Sequence, residues 1–374
     1  MGPRGLAGVV RCLLCAGFMK FGVHFLLQCA ETQAPAQLYQ HAVNQATHAE
    51  TLGFESVWPV EHHFNPRFSV LPCPTLLLAA IAARTRSLRL GTAIVQLALH
   101  NPLRVAEEIA TLDVLSGGRV ELGVGRGSNP THFAGFGVPM QESRARMAEG
   151  LAFLQRAFRE ERFSFEGQFF RADDVCLTPK PLQQPAVHIA ANSLETAEQA
   201  GQAGYPILLA AHVLTFARLR ELVAVYRRAR LKAGHAALRP SDLSILMPLY
   251  VGESAAQIER ELLPSVSHYV SVLSAASQAL IEQCSSETER TKLYMLLGQM
   301  RQTRYESVNG HMGIFDTPDA CALRLKQLQQ ELGVGRVIGW FNLGGLVSHE
   351  RVMRSMELFA SRVMPHFGRA QAAA

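Results

Sequence analysis

Met19-Lys20-Phe21-Gly22-Val23-His24-Phe25-Leu26 reads as a buried first strand, and its succession by a helix and then a second strand decides the fold. Leu38, Ala42, Ala46 and Ala49 repeat at helical spacing, Gly53 stands where a left-handed C-terminal cap is expected, and Phe54 to Val60 returns to a strand. The alternation then continues. Further strands are expected at Leu88 to Val95, Val120 to Val124, Val187 to Ala190, Pro206 to Ala210, Ile245 to Val251 and Val337 to Phe341, with helices between them. Eight strand–helix units in one chain indicate a closed (β/α)8 TIM barrel of the α/β class, which places chemistry at the C-terminal ends of its strands.

Two segments depart from the plain repeat. Arg162 to Val175 reads as a short hairpin around Glu166-Gly167, and Ser254 to Met312 is far longer than one crossover helix. The second insertion, a long helical segment before the last strand, contains the helical stretches Ile258 to Leu263 and Lys292 to Met300 and is expected to fold over the barrel mouth. With no internal repeat or proline-rich linker, residues 19–374 read as one domain carrying these two insertions. Residues 1–18 stand apart. They imitate an export signal, but Arg11 interrupts the apolar run and no clean small-residue cleavage site comes after it, so they read as a disordered leader or a start codon placed too early.

Composition bounds the function. At 374 residues, 48% apolar and 18% charged, the chain has material for a large core and is not a disordered, collagen-like or coiled-coil protein as a whole. Its 36 basic and 31 acidic residues leave a net charge of +5, scattered rather than gathered into a block, which gives no support for nucleic-acid binding. No apolar run after the leader is long enough to span a membrane. Seven cysteines, an odd number with no second CxxC to pair with Cys12-Leu13-Leu14-Cys15 in the leader, fit a reducing cytoplasm.

Three strand ends carry candidate chemistry. Glu61-His62-His63-Phe64 comes directly after the second strand, where one imidazole can give and take protons near neutral pH while its neighbour points away; a packed or exposed histidine is the plainer alternative. A zinc site is the poorer reading, since adjacent residues leave a strand in opposite directions and the sequence beyond them has no ligand spacing. Gly123-Val124-Gly125-Arg126-Gly127-Ser128-Asn129 ends the fourth strand, and either forms a glycine-rich turn or lets Arg126 pair with an anion. Ala191-Asn192-Ser193-Leu194-Glu195-Thr196 leaves the fifth strand and opens a helix, whose amino terminus is either ordinarily capped or holds a phosphate. The last two would meet at one rim of the barrel.

Together these pieces resemble the luciferase-like flavin-dependent monooxygenases, the superfamily that includes bacterial luciferase. Met19 to Gly22, Leu52-Gly53-Phe54-Glu55-Ser56-Val57-Trp58, Glu61 to Phe64, Gly91-Thr92-Ala93-Ile94-Val95, His100-Asn101-Pro102, Leu115-Ser116-Gly117-Gly118-Arg119, Gly123 to Gly127, Ala191 to Ser193 and Trp340-Phe341-Asn342-Leu343-Gly344-Gly345 stand in the family's order. The resemblance implies that His62 is the active-site histidine beside the flavin. It implies that Arg126, Ser193, Asn192 and Thr196 hold the FMN phosphate, with Arg144 a second phosphate-side arginine. The Ala93-Ile94 bond matches a non-prolyl cis peptide that supports the isoalloxazine ring in many members. Gly125 stands where luciferase has its reactive cysteine, so light emission is not implied, and Asn192 replaces an acidic residue.

The implied activity is FMN-dependent monooxygenation of an apolar aldehyde, ketone or biosynthetic intermediate. FMNH2 from a separate flavin reductase would react with O2 through a C4a-peroxyflavin, with Phe64 and the lid keeping the pocket dry. A flavin- or deazaflavin-dependent dehydrogenase without oxygen chemistry and a non-catalytic flavin-binding subunit remain alternatives, and the chain is expected to form a homodimer. Because strand and helix periodicity begins only near Lys20, a chain starting at Met19 should fold and bind flavin as the full chain does. A large loss of melting temperature or flavin affinity in the shortened chain would show that the leader packs on the barrel.

Overall fold

The computed structural model describes residues 18–236, 238–283 and 287–368. The sequence expectation for residues 1–18 therefore falls, apart from Phe18, outside the described residues. Along the chain run β1 (Lys20–Phe25), α1 (Pro35–Leu52), β2 (Ser56–Pro59), α2 (Pro74–Ala82), β3 (Arg89–Gly91), β4 (Val95–Gln96), α3 (Pro102–Ser116), β5 (Val120–Gly125), α4 (Pro130–Gly135) and α5 (Ser143–Arg159). A two-stranded antiparallel hairpin is next, β6 (Phe163–Glu166) with β7 (Arg171–Val175). Then come β8 (Ala186–Ala190), α6 (Leu194–Ala203), β9 (Ile207–Ala210), α7 (Phe216–Lys232) and β10 (Leu243–Val251). The long crossover holds α8 (Ala255–Gln283), α9 (Glu287–Gln302), α10 (Tyr305–His311) and β11 (Ile314–Asp316), and the chain closes with α11 (Pro318–Leu332), β12 (Arg336–Trp340) and α12 (His349–Leu358).

The strands β1-β2-β3-β5-β8-β9-β10-β12 pair in parallel in that order, and β12 pairs back onto β1, closing an eight-stranded barrel. This is the (β/α)8 architecture expected from the alternation. Local rules explain the first unit: Leu38, Ala42, Ala46 and Ala49 form the buried face of α1, and Gly53 ends it at φ 86°, where any side chain is disfavoured.

One strand differs from expectation. Leu88 to Val95 is not continuous: β3 ends at Gly91, the Ala93–Ile94 peptide is cis, and β4 resumes pairing with β5 at Val95 and Gln96. Inward-facing glycines make the room this needs. A Cβ at Gly91 would land within the Trp58 indole, and one at Gly125 would collide with Ile94. Trp58, fully buried, fills the barrel with Leu208, Leu246 and Ile338.

Below that layer a charge cluster occupies the N-terminal end: Arg336 pairs with Glu121 at 2.8 Å and stacks its guanidinium over Trp58. Above it, α8 crosses the C-terminal end. Ser265 Oγ donates to Leu343 O at 2.6 Å, and His268 Nδ1 donates to Gly344 O at 2.7 Å. Replacing Gly91 with alanine should therefore overpack the barrel against a ring that has nowhere to go, costing about 1–3 kcal/mol. Urea unfolding of Gly91→Ala measures it, and an unchanged midpoint would mean that the Trp58 layer yields.

Candidate active site

At the C-terminal end of the barrel, a cleft of about 820 Å³ lies beside β5 and β8. Arg126, Arg144, Asn192, Ser193, Thr196 and Ile94 all line it, so the two anion-type elements read from the sequence meet at one rim. Ser193 caps α6, its Oγ accepting from Thr196 N at 3.2 Å and lying 2.9 Å from Thr196 Oγ1. Asn192 Oδ1 accepts from Ala210 N at 3.0 Å, which ties the loop to β9.

The two arginines differ. Arg144 Nη1 pairs with Glu195 Oε2 at 2.6 Å, so its charge is already matched within the cleft wall. Partly buried Arg126 touches Ser143 Oγ at 3.3 Å and, among the described ion pairs, has no carboxylate. Burial first, and then the neighbouring Arg144, lower its pKa from the usual arginine value. Both penalties are relieved by an anion beside it.

The histidine end of the site is organised by Glu61. This carboxylate is 4% exposed; its Oε1 accepts from His63 Nε2 and from His100 Nε2, each at 2.8 Å, and its Oε2 accepts from Gln96 N at 3.0 Å. Gln96 Nε2 donates back to Glu61 O at 2.9 Å, and Gln96 Oε1 accepts from His132 Nδ1 at 3.1 Å. His132 Nε2 in turn accepts from His63 N and from Asn129 Nδ2, both at 3.2 Å, which fixes a neutral tautomer. Loops after β2, β4 and β5 are thereby joined in one network around a buried acid.

His62 sits against this network, edge-on to His132 at 4.3 Å and tilted on Phe68 at 4.3 Å, with Nδ1 sealed from solvent and without a partner. Burial, then His132 and His63, pull its pKa from 6.5 to about 3, so the ring is neutral at physiological pH. His62 does not line the 820 Å³ cleft, and neither does Phe64. Phe64 is 58% exposed at φ 59° and lies over Gly135 and Phe136.

Sequence reasoning passed over His100, Gln96 and His132, which come from separate loops and share no spacing with Glu61. Glu61, His63 and His100 bring three ligand-type atoms within 4.8 Å of one another. A divalent cation there would have to displace both histidine–glutamate hydrogen bonds.

The luciferase-like monooxygenase family model matches residues 19–336. An uncharacterized protein of Sinorhizobium fredii, y4vJ, is 32% identical over 60% of this chain, and the match spans 64% of that relative's length. The alkanal monooxygenase alpha chain of the Kryptophanaron alfredi symbiont is 28% identical, covering 93% of this chain and 98% of its own. Among solved structures, the monooxygenase RslO1 from Streptomyces bottropensis superposes with a TM-score of 0.78 at 27% identity, covering 94% of this chain and all of that one.

The histidines give opposite pH responses. Burial would lower His100, but the Glu61 hydrogen bond and charge more than offset it and raise its pKa. Its contribution to stability is therefore complete below the unfolded value of 6.5 and is lost as pH rises through the folded value. His62 and His132, held to about 3 and about 4, act the other way: between 6.5 and those values the unfolded chain binds protons that the fold refuses, and stability drops as pH is lowered. In Glu61→Gln the NMR titration of His100 should move down from its raised value. A His100 titration unchanged by Glu61→Gln would show that Glu61 does not hold it.

Proposed function

The chain belongs to the luciferase-like monooxygenase family, and from that premise we propose that it is an FMN-dependent monooxygenase using O2 and FMNH2 from a separate reductase to oxidise a small, largely apolar organic substrate. The observation that carries the reading is Arg126, a partly buried cation with no carboxylate among the described ion pairs, lining the same cleft as the capped start of α6. One terminal phosphate answers both features, the charge and the positive end of α6.

Bound reduced flavin would supply the electrons that activate oxygen. This chain's residues then have five tasks. Arg126, Ser193, Asn192 and Thr196 bind and orient the phosphate, and Ile94, which lines the cleft, supports the ring system beyond it. The Glu61 network holds in place the loop that carries His62. His62, neutral because burial disfavours its charged form, is the group we assign to proton movement at the flavin, a role that requires its ring to turn Nδ1 from its sealed position toward the cleft. The α8 insertion excludes water from above.

Dimerisation is part of the same proposal. Leu76 and Leu115 stand exposed on α2 and α3 beside a groove of about 590 Å³, a face that a second copy would cover.

Arg126→Ala should weaken FMN binding by about ten- to a hundredfold, the cost of one charge-assisted contact of roughly 1.5–3 kcal/mol. Equal affinity in the variant would remove Arg126 from the site. Reduced FMN bound anaerobically and then met by an oxygen pulse should return to the oxidised spectrum more slowly, and in more steps, than free FMNH2. Reoxidation with the kinetics of free flavin would favour the dehydrogenase reading.

A further inference from the structure

The cleft that takes the flavin phosphate in the reading above contains an anion of its own. Glu195, the acid in the first turn of α6, lines the same wall as Arg126 and Arg144, and its Oε2 meets Arg144 Nη1 at 2.6 Å. A carboxylate in the first turn steadies any helix. Here it also stands where an incoming phosphate would go, beside the capped start of α6 and on one of the wall's two arginines.

The two arginines are not equally free to answer a ligand. Arg126 is partly buried and donates to Ser143 Oγ at 3.3 Å, and Ser143 is itself 2% exposed. The Arg144–Glu195 pair lies at the surface, its side chains 47% and 54% exposed. An ion pair so exposed is weak, and its members exchange readily for other charges. The carboxylate acts on both arginines: burial and then Arg144 lower the pKa of Arg126, while Glu195 raises it.

Charge decides what this arrangement does. Two guanidinium groups against one carboxylate leave the wall with a single net positive charge. A phosphate monoester carries about −1.5 to −2 at neutral pH, so it overfills the wall as long as Glu195 keeps its charge. For Arg144 to reach the phosphate its pair with Glu195 must break, and the released carboxylate then faces a second anion. Without that carboxylate the two arginines and the phosphate balance.

Resting on the flavin reading above, we propose that Glu195 sets the affinity of the site: it competes with the cofactor's phosphate for Arg144 and so keeps the flavin exchangeable. On that reading the protein receives reduced flavin from a separate reductase and has to release the spent cofactor, and an internal anion that recaptures Arg144 speeds the departure. The opposite role, a strut that holds Arg144 ready for the phosphate, gives the opposite sign when the carboxylate is removed.

Titration of the flavin-free protein with FMN and with riboflavin separates the two, in wild type, Glu195→Gln, Arg144→Ala and the double variant. Glu195→Gln, at a half-exposed position that accepts the isosteric amide, should bind FMN roughly threefold to tenfold tighter, chiefly through slower dissociation, and bind riboflavin as wild type does. Added salt should shrink the gain. Arg144→Ala should cost less FMN affinity in the wild-type background, where Glu195 already claims the guanidinium, than beside Glu195→Gln. Equal or weaker FMN binding by Glu195→Gln, an equal gain for riboflavin, or an Arg144→Ala cost as large or larger with Glu195 present overturns the proposal. Wild type that binds FMN no better than riboflavin would sink the phosphate reading and this proposal together. An FMN preference that stands while Glu195→Gln binds no tighter removes Glu195 alone.

Discussion

The buried carboxylate of Glu61 is the constraint on which the catalytic end of this barrel depends. Burial alone would raise its pKa, yet the hydrogen bonds from His100 and His63 hold it below the usual carboxylate value. A charge can persist at 4% exposure only when its lone pairs are filled, and here Oε1 takes two imidazole N–H groups and Oε2 a backbone amide. The segments after β2 and around β4 must therefore keep one geometry, and His132 ties the loop after β5 to both. Removing any partner leaves a charge or a donor unmatched in the interior, so the network is held together by the cost of breaking it as much as by its bonds.

A second constraint is steric. Trp58 occupies the barrel where Gly22 and Gly91 leave space, and Gly125 clears Ile94. Those absent side chains let β3 break at Gly91 and resume at Val95. The same packing that closes the barrel thus brings Ile94 into the wall of the 820 Å³ cleft.

Much of the fold was legible because it depends on periodicity. Helical spacing of small residues gave α1, Gly53 gave its end, and the β-branched runs gave all eight barrel strands. The interruption of Leu88 to Val95 was not legible from the pattern, since apolar residues run through it without a break. The site divides the same way. Arg126, Ser193 and Thr196 could be placed together because barrel topology puts successive strand ends side by side. His100, Gln96 and His132 could not, because their link to Glu61 is made across loops with no fixed spacing. Arg144 carried no sequence sign that Glu195 would neutralise it. Phe64 was expected over the pocket, but its left-handed backbone conformation turns it outward over Gly135, a rotation no residue pattern announces.

The two rims have opposite electrostatic character. Around Arg126 the protein offers positive charge and the amino terminus of α6; around Trp340 it offers neutral rings. A ligand with an anionic tail and a flat uncharged head spans that difference, and an apolar partner completes the neutral side. The most direct measurement of this account is a crystal structure with FMN bound. It should place the phosphate within hydrogen-bond distance of Arg126 and the Ser193–Thr196 turn, with the ring system extending past Ile94 into the barrel mouth. A phosphate seated elsewhere, or a flavin ring directed away from the mouth, would contradict it.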